Sequence, residues 1–342
     1  MSSKNLNVTN KTHKFLINKL KDKKTFKIYK DFEKNLQIND DFIVAVSGGP
    51  DSLALSFLSK LYAIKNSLKV KYFIVDHKLR KNSTKETKFV KRLTKKIDIN
   101  LSVLTWTGKK PTTNIQSIAR KKRYNLLINQ AKKLKINYIL LGHHIDDLYE
   151  NFFIRILRGS GLNGMVSFDK ISKEQNINLI RPLLNFSKED LENITKKVFS
   201  TYINDSSNMS DKFKRVKIRN FIKNLQSEGL DLKKFNLTIK NLKFANESIK
   251  TFVKINLDKN SIIDHKNKSI LLSKNFFNQP QEIVFRSFTE VIKIVGKKYY
   301  PVRGKKLDII INKVKNDNIL KTTLGNCIIR KVNRTIIVTK EH

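Results

Sequence analysis

Short apolar runs alternate with longer stretches of helical periodicity between residues 36 and 229. Phe42–Val46, Val70–Val75, Leu101–Trp106 and Tyr138–Leu141 read as strands. Ser52–Lys65, Ser83–Lys96, Asn114–Leu134 and Asp146–Arg158 place apolar residues three and four apart and read as helices. Ser83 with Glu86 three residues on has the spacing of a capping box. Strands separated by helices predict the α/β class, a parallel sheet covered by helices on both faces. Residues 1–35 read as a basic lead-in with a short helix around Phe15–Leu20. After Gly229 the texture changes. Residues 230–299 look helical, with apolar positions at Leu242, Phe244, Ile249 and Phe252. Residues 300–342 look like a small β-containing domain, in which Cys327–Val332 and Thr335–Val338 flank a turn at Asn333-Arg334.

The first strand runs into Ser47-Gly48-Gly49-Pro50-Asp51-Ser52 and then directly into a helix. Such a unit is built to hold phosphate. Glycines let backbone N–H groups approach an anion, and the helix start adds its positive dipole end. Ser47 and Ser52 add hydroxyl donors. No Gly-x-x-x-x-Gly-Lys-Ser/Thr occurs, so this is not the commoner nucleotide loop. Ligands of parallel sheets bind beyond the carboxyl ends of the strands. Asp76-His77 and Gly142-His143-His144 fall at two more strand ends, so three polar clusters are expected to converge on one crevice.

Asp146, Asp147 and Glu150 follow the two histidines. On a helix, residues three and four apart share a face. Carboxylates near a triphosphate commonly hold Mg²⁺, which prefers oxygen ligands. Helix capping accounts for one or both aspartates. It does not account for Glu150.

Charge adds a partner. The chain of 342 residues has 70 Lys+Arg against 29 Asp+Glu, a formal net charge of +41. A polyanion is the natural partner, nucleic acid ahead of membrane. Lysine, asparagine and isoleucine bias, as an AT-rich genome would encode, inflates this number without creating its sign. The single cysteine, Cys327, excludes an internal disulfide and a cysteine metal cluster. No apolar run of about 18 residues is present, so no membrane span is expected. A polar, basic start excludes a typical secretory signal and fits a cytoplasmic location. A homodimer is compatible with these features.

Ser47–Ser52 after a strand resembles the loop of the N-type ATP pyrophosphatases, which split ATP into AMP and pyrophosphate. The likeness narrows with four stretches. These are Ser47–Ser52, Asp76-His77-x-Leu79-Arg80, Asn114-x-Gln116-x-x-Ala119-Arg120-x-x-Arg123-Tyr124, and Gly142-His143-His144-x-Asp146-Asp147-x-x-Glu150. Arg158-Gly159-Ser160-Gly161, Arg181-Pro182-Leu183-Leu184, Asp205-x-Ser207-Asn208 and Phe213-x-Arg215-x-x-Ile218-Arg219 continue it. Together they resemble the tRNA(Ile)-lysidine synthetases over about residues 40 to 222. Leu148 and Asn151 depart from the pattern, standing where Gln and Thr are usual.

The resemblance implies a PP-loop ATPase fold and an ATP-dependent ligation. ATP would adenylate the wobble cytidine of the CAU anticodon of tRNA(Ile), and free L-lysine would displace AMP. It implies that Ser47, Gly48, Gly49, Pro50, Asp51, Ser52, Asp76, His77 and His143 bind ATP. Asp146, Asp147 and Glu150 would hold Mg²⁺. Asp51, Asp147, Glu150, Arg120, Arg215 and Arg219 would carry the chemistry. For the three arginines, contact with the RNA backbone is an equal alternative. Three rivals use the same loop or charge: a tRNA thiolation enzyme, an amide-forming enzyme acting on a small substrate, and a non-catalytic RNA-binding protein with a relic ATP site. A single cysteine disfavours the first, and charge the second. The intact loop and carboxylates disfavour the third.

Overall fold

A computed structural model of the chain describes residues 10–79, 82–204, 214–266, 268–297 and 304–341. Arg80, Asp205, Ser207, Asn208 and Phe213 of the motifs above lie outside the described residues. The chain divides into two compact units, one ending at Asp231 and one beginning at Leu232.

The first unit contains α1 (Asn10–Leu20), α2 (Lys23–Leu36), β1 (Phe42–Val46), α3 (Pro50–Lys65), β2 (Val70–Asp76), α4 (Ser83–Lys95) and β3 (Leu101–Thr105). It continues with α5 (Ile115–Leu134), β4 (Tyr138–Leu140), α6 (Ile145–Ile156), α7 (Leu162–Met165), β5 (Ile171–Glu174), β6 (Ile177–Ile180), α8 (Lys188–Phe199) and α9 (Lys214–Ser227). Six strands form one sheet in the order β3-β2-β1-β4-β6-β5. All pairs are parallel except β5 with β6. The central strand β1 pairs Phe42 with Val70 of β2 and Ile43 with Ile139 of β4. Successive strands leave β1 on one side and return beside it as β4. The switch point of the sheet therefore lies between β1 and β4, where such sheets open a crevice.

Burial explains the strand sequences. Phe42, Ile43 and Val44 are fully buried, because helices cover both faces of the sheet. One face packs against α3 through Leu53, Phe57 and Leu58, and the other against α5 through Tyr124, Leu127 and Ile128.

Three local expectations differ from the structure. The lead-in is two helices rather than one short one. Ile28, Tyr29, Phe32 and Leu36 form a stripe on α2 that joins the main core with Leu16 of α1. Lysines between those positions mask the period. The predicted cap at Ser83 is absent: Asn82 precedes α4 without a side-chain cap bond. Thr84 instead donates to Asp76 Oδ2 at 2.8 Å. The β5–β6 hairpin was not foreseen. Its turn residues Gln175 and Asn176 have φ of 48° and 70°, the left-handed pair that a two-residue hairpin turn needs.

The second unit contains α10 (Leu232–Asn260), β7 (Ser261–Asp264), β8 (Ser269–Leu272), α11 (Lys274–Phe277), α12 (Gln281–Gly296), α13 (Gly304–Lys315), β9 (Lys321–Leu324), β10 (Cys327–Val332) and β11 (Thr335–Lys340). Its sheet runs β7-β8-β11-β10-β9. The hairpin at Asn333-Arg334 forms, with Val332 opposite Thr335. A boundary near residue 300 does not separate cores. Strand β8 before it pairs with β11 after it, and Phe276, Phe288, Cys327 and Ile329 share one cluster. On α10, Phe244 and Phe252 are exposed while Ile239, Val253, Asn246 and Asn256 are buried. Asn256 is satisfied there by the Phe276 carbonyl and the Ser287 hydroxyl. Among the described residues no helix is long and apolar enough to cross a membrane.

Candidate active site

The loop after β1 aims its donors at one point. The N–H groups of Ser47 and Gly48 reach Ser52 Oγ at 3.0 and 3.1 Å, and Ser47 Oγ lies 3.1 Å from it. Ser52 in turn donates to the Gly49 carbonyl at 3.0 Å. Three donors that converge on a single oxygen form the geometry an anion requires. Gly48 is needed as glycine. Its φ is +90°, and a Cβ there would lie 2.5 Å from Val90 Cγ2. Pro50 opens α3 in the first helical position, where its missing N–H costs nothing. Two bonds fix the loop from outside. Thr195 of α8 donates to the Pro50 carbonyl at 2.7 Å, and the Ile203 N–H donates to the Gly48 carbonyl at 3.0 Å. Gly142, beyond β4, presses on the same turn, with a would-be Cβ 3.2 Å from Ser52 N.

His144 is the histidine that faces this loop. Its Nε2 lies 3.7 Å from both Asp51 Oδ2 and Asp147 Oδ2, and its Nδ1 lies 3.3 Å from Asp146 Oδ2. Its backbone N–H donates to Asp147 at 3.2 Å, which caps α6. Burial disfavours the imidazolium, but the bond to Asp146 and the charges of Asp147 and Asp51 outweigh it and raise the pKa. Burial, less the attraction of His144, pushes Asp51 up to about 6, and Asp147 adds repulsion. Asp146 moves down despite burial, because His144 and the Lys188 N–H stabilise its charge. Asp51 Oδ1 is buried and has no hydrogen-bond partner among the described residues.

His143 points elsewhere, as neighbours in extended backbone do. Its ring meets Phe168 edge-on at 5.4 Å between centroids. Burial, then the positive charges of Arg120, Arg181, Arg123 and Arg215, hold it well below the usual histidine range. Of the two histidines expected at the nucleotide, it is His144, not His143, whose ring approaches the loop. Arg120 donates to Tyr124 Oη at 3.0 Å. Arg181 lies over Phe168 at 5.1 Å and donates to the Asp169 carbonyl at 2.8 Å. Burial, and then the charge of Arg120, depress the Arg123 and Arg181 guanidinium groups, while Tyr124 partly offsets this. Phe168 lay outside every motif.

Helix α9 brings two predicted arginines to the carboxylates. Arg219 Nε donates to Glu150 Oε1, and Arg215 Nη1 lies 3.5 Å from Asp147 Oδ1. Glu150 is buried, and burial raises its pKa in spite of that bond. Arg219 is raised as well, its burial outweighed by the bond and the charge of Glu150. Leu148, at the departure from the family pattern, is buried. The Nδ2 of Asn151, at the other departure, has no hydrogen-bond partner among the described residues.

At the ends of β2 and β3, Asp76 commits both oxygens to its own turn, one to Thr84 and one to the Lys78 N–H at 3.0 Å. The His77 ring meets Trp106 edge-on at 6.0 Å. This end of the crevice carries the His77 and Trp106 rings and the turn-bound carboxylate of Asp76.

The predicted metal set does not assemble. Glu150 is paired with Arg219, and Asp146 with His144 and Lys188. Among the described residues no three His, Cys, Asp or Glu side chains are placed to hold a metal ion. Mg²⁺ at phosphates needs only one or two carboxylates, with phosphate oxygens and water for the rest. Asp51 and Asp147 both lie 3.7 Å from His144 Nε2 next to the loop, and Asp147 also lies 3.5 Å from Arg215.

A doubly wound sheet with this loop at its switch point defines a PP-loop nucleotide-binding protein, and a family model described as a PP-loop domain matches residues 19–226. The fold is similar to that of the U34-tRNA thiolase NcsA from Methanococcus maripaludis, with a TM-score of 0.56 and 15% identity over 65% of this chain and 78% of that one. More specifically, the chain belongs to the tRNA(Ile)-lysidine synthase family. It is 34% identical over 307 residues to the tRNA(Ile)-lysidine synthase of Wolbachia pipientis wMel, covering 89% of this chain and 71% of the relative. The corresponding protein of Orientia tsutsugamushi (strain Boryong) is 34% identical over 315 residues, covering 89% and 70%.

Proposed function

We propose that this chain joins free lysine to the wobble cytidine of the CAU anticodon of tRNA(Ile), forming lysidine. The observation that carries this is the meeting, at the ends of β1 and β4, of a phosphate loop, a carboxylate cluster and an arginine cluster. The carbonyl oxygen of the cytosine ring attacks the α-phosphorus of ATP and pyrophosphate leaves. The ε-amine of lysine, after losing a proton, attacks the ring carbon, and AMP leaves with the oxygen. Ser47, Gly48, Gly49 and Ser52 hold the β- and γ-phosphates. Mg²⁺, held by Asp51 and Asp147, supplies charge neutralisation on those phosphates. Glu150 aligns Arg219, while Arg215 and Arg120 offset charge on the α-phosphate or the RNA backbone. Thiolation is disfavoured because the one cysteine, Cys327, is buried within the second unit.

Pyrophosphate release with unmodified tRNA(Ile) and with a C34→U34 transcript tests this reading. Release that depends on C34 is expected. Equal release with both transcripts contradicts it.

A further inference from the structure

Lys110 lies in the turn after β3, in no part of the motifs quoted above, and it bridges two strand ends. Its Nζ donates to the His77 carbonyl at 3.0 Å and to the Trp106 carbonyl at 2.9 Å. The same ammonium sits 4.3 Å from the centroid of the Trp106 ring. Trp106 is buried, and its N–H donates to the Asp76 carbonyl at 2.9 Å. One cation thus locks β2, β3 and the following turn into a single wall, through charge-assisted bonds and a cation–π contact.

The position of that wall matters. A nucleotide whose phosphates occupy the Ser47–Ser52 loop must extend over a strand next to β1, either β4 or β2. The β4 side is filled with His143, His144 and arginines that suit reacting phosphate and RNA. The β2 side carries the His77 and Trp106 rings beside a turn whose Asp76 and Lys110 are already committed to backbone, and rings beside fixed backbone suit a flat base. A base is discriminated by hydrogen bonds to fixed backbone atoms, so whatever fixes residues 76–79 sets that discrimination.

We propose that Lys110 is a positioning residue for the nucleobase of ATP, acting through the backbone at His77. It touches neither the phosphates nor the reacting cytidine. This inference rests on the ATP site proposed above but not on the identity of the acceptor RNA.

The test is equilibrium binding of ATP and GTP, without tRNA or lysine, to wild type, Lys110→Met and Lys110→Arg. Kinetics of pyrophosphate release with tRNA accompany it. Lys110→Met keeps the stem over Trp106 and removes the donors. Its Kd and KM for ATP should rise about tenfold, the scale of the one charge-assisted bond that fixes the His77 carbonyl. Its kcat at saturating ATP should stay within about twofold, since the groups that stabilise charge in the transition state are untouched. Its preference for ATP over GTP should narrow. Lys110→Arg should recover most of the affinity. If Lys110→Met binds ATP as wild type does, or loses kcat with Kd unchanged, the proposal is overturned. Should Lys110→Met not fold, Lys110→Gln carries the same binding test with the same two outcomes. Because binding is read without RNA, a failed lysidine assignment leaves this result interpretable.

Discussion

Gly48 shows what a single residue decides. At φ +90°, and with Val90 Cγ2 2.5 Å from where a β-carbon would stand, it cannot carry a side chain without something moving. Gly48→Ala is expected to cost about 1–2 kcal/mol of stability through the left-handed backbone alone. It should lower kcat/KM for ATP by at least about tenfold, read by pyrophosphate release beside urea unfolding. Unchanged kinetics would remove Gly48 from the cradle. The His144 cluster gives a pH prediction for the protein without ATP and Mg²⁺. Asp51 titrates near 6 in the fold, above the ordinary value of 3.8, so its contribution to stability is complete at low pH and lost as pH rises through about 6. His144 is raised too, and its contribution is likewise lost on the alkaline side. Asp51 therefore predicts that stability falls between about pH 4 and 6, a fall that Asp51→Asn flattens, and His144 predicts a further fall above its ordinary value of 6.5. A urea midpoint that rises over this range in wild type would contradict the assignment. The loop and the acidic helix were legible as motifs, because their spacing is local. Which histidine meets the loop was not, because it depends on how extended backbone alternates at the end of β4. The arginine pocket was only half legible. Arg120 stood in a motif, while Phe168 is placed by a hairpin that the chain's pattern does not announce.

At the scale of elements, the N-terminal helices are part of the first core. Phe32 of α2 is fully buried and meets Tyr62 of α3 edge-on at 6.3 Å. Phe32→Ala should therefore destabilise the protein by about 3–5 kcal/mol, measured by chemical denaturation. A change below about 1 kcal/mol would mean that α2 is peripheral. The strands β1 to β4 were readable because strands buried on both faces are continuous apolar runs. Helix α2 was obscured by lysines whose long stems pass along apolar surface. Helix α10 misled in the opposite sense. Its phenylalanines at 244 and 252 face solvent, while Asn246 and Asn256 bond inside. Hydropathy alone inverts such a face, since a buried amide is acceptable wherever its partners are present.

For the molecule as a whole, a net charge of +41 and a phosphate loop act together. Binding of tRNA should weaken steeply and linearly with log salt, as counterion release requires. ATP binding, with a single polyphosphate to hold, should respond far less. The most direct measurement follows labelled lysine into unmodified tRNA(Ile) bearing a CAU anticodon, with ATP and Mg²⁺ present. One lysine incorporated per pyrophosphate released, at the wobble cytidine and nowhere else, is the predicted result. Pyrophosphate released with no label in the RNA would contradict the account.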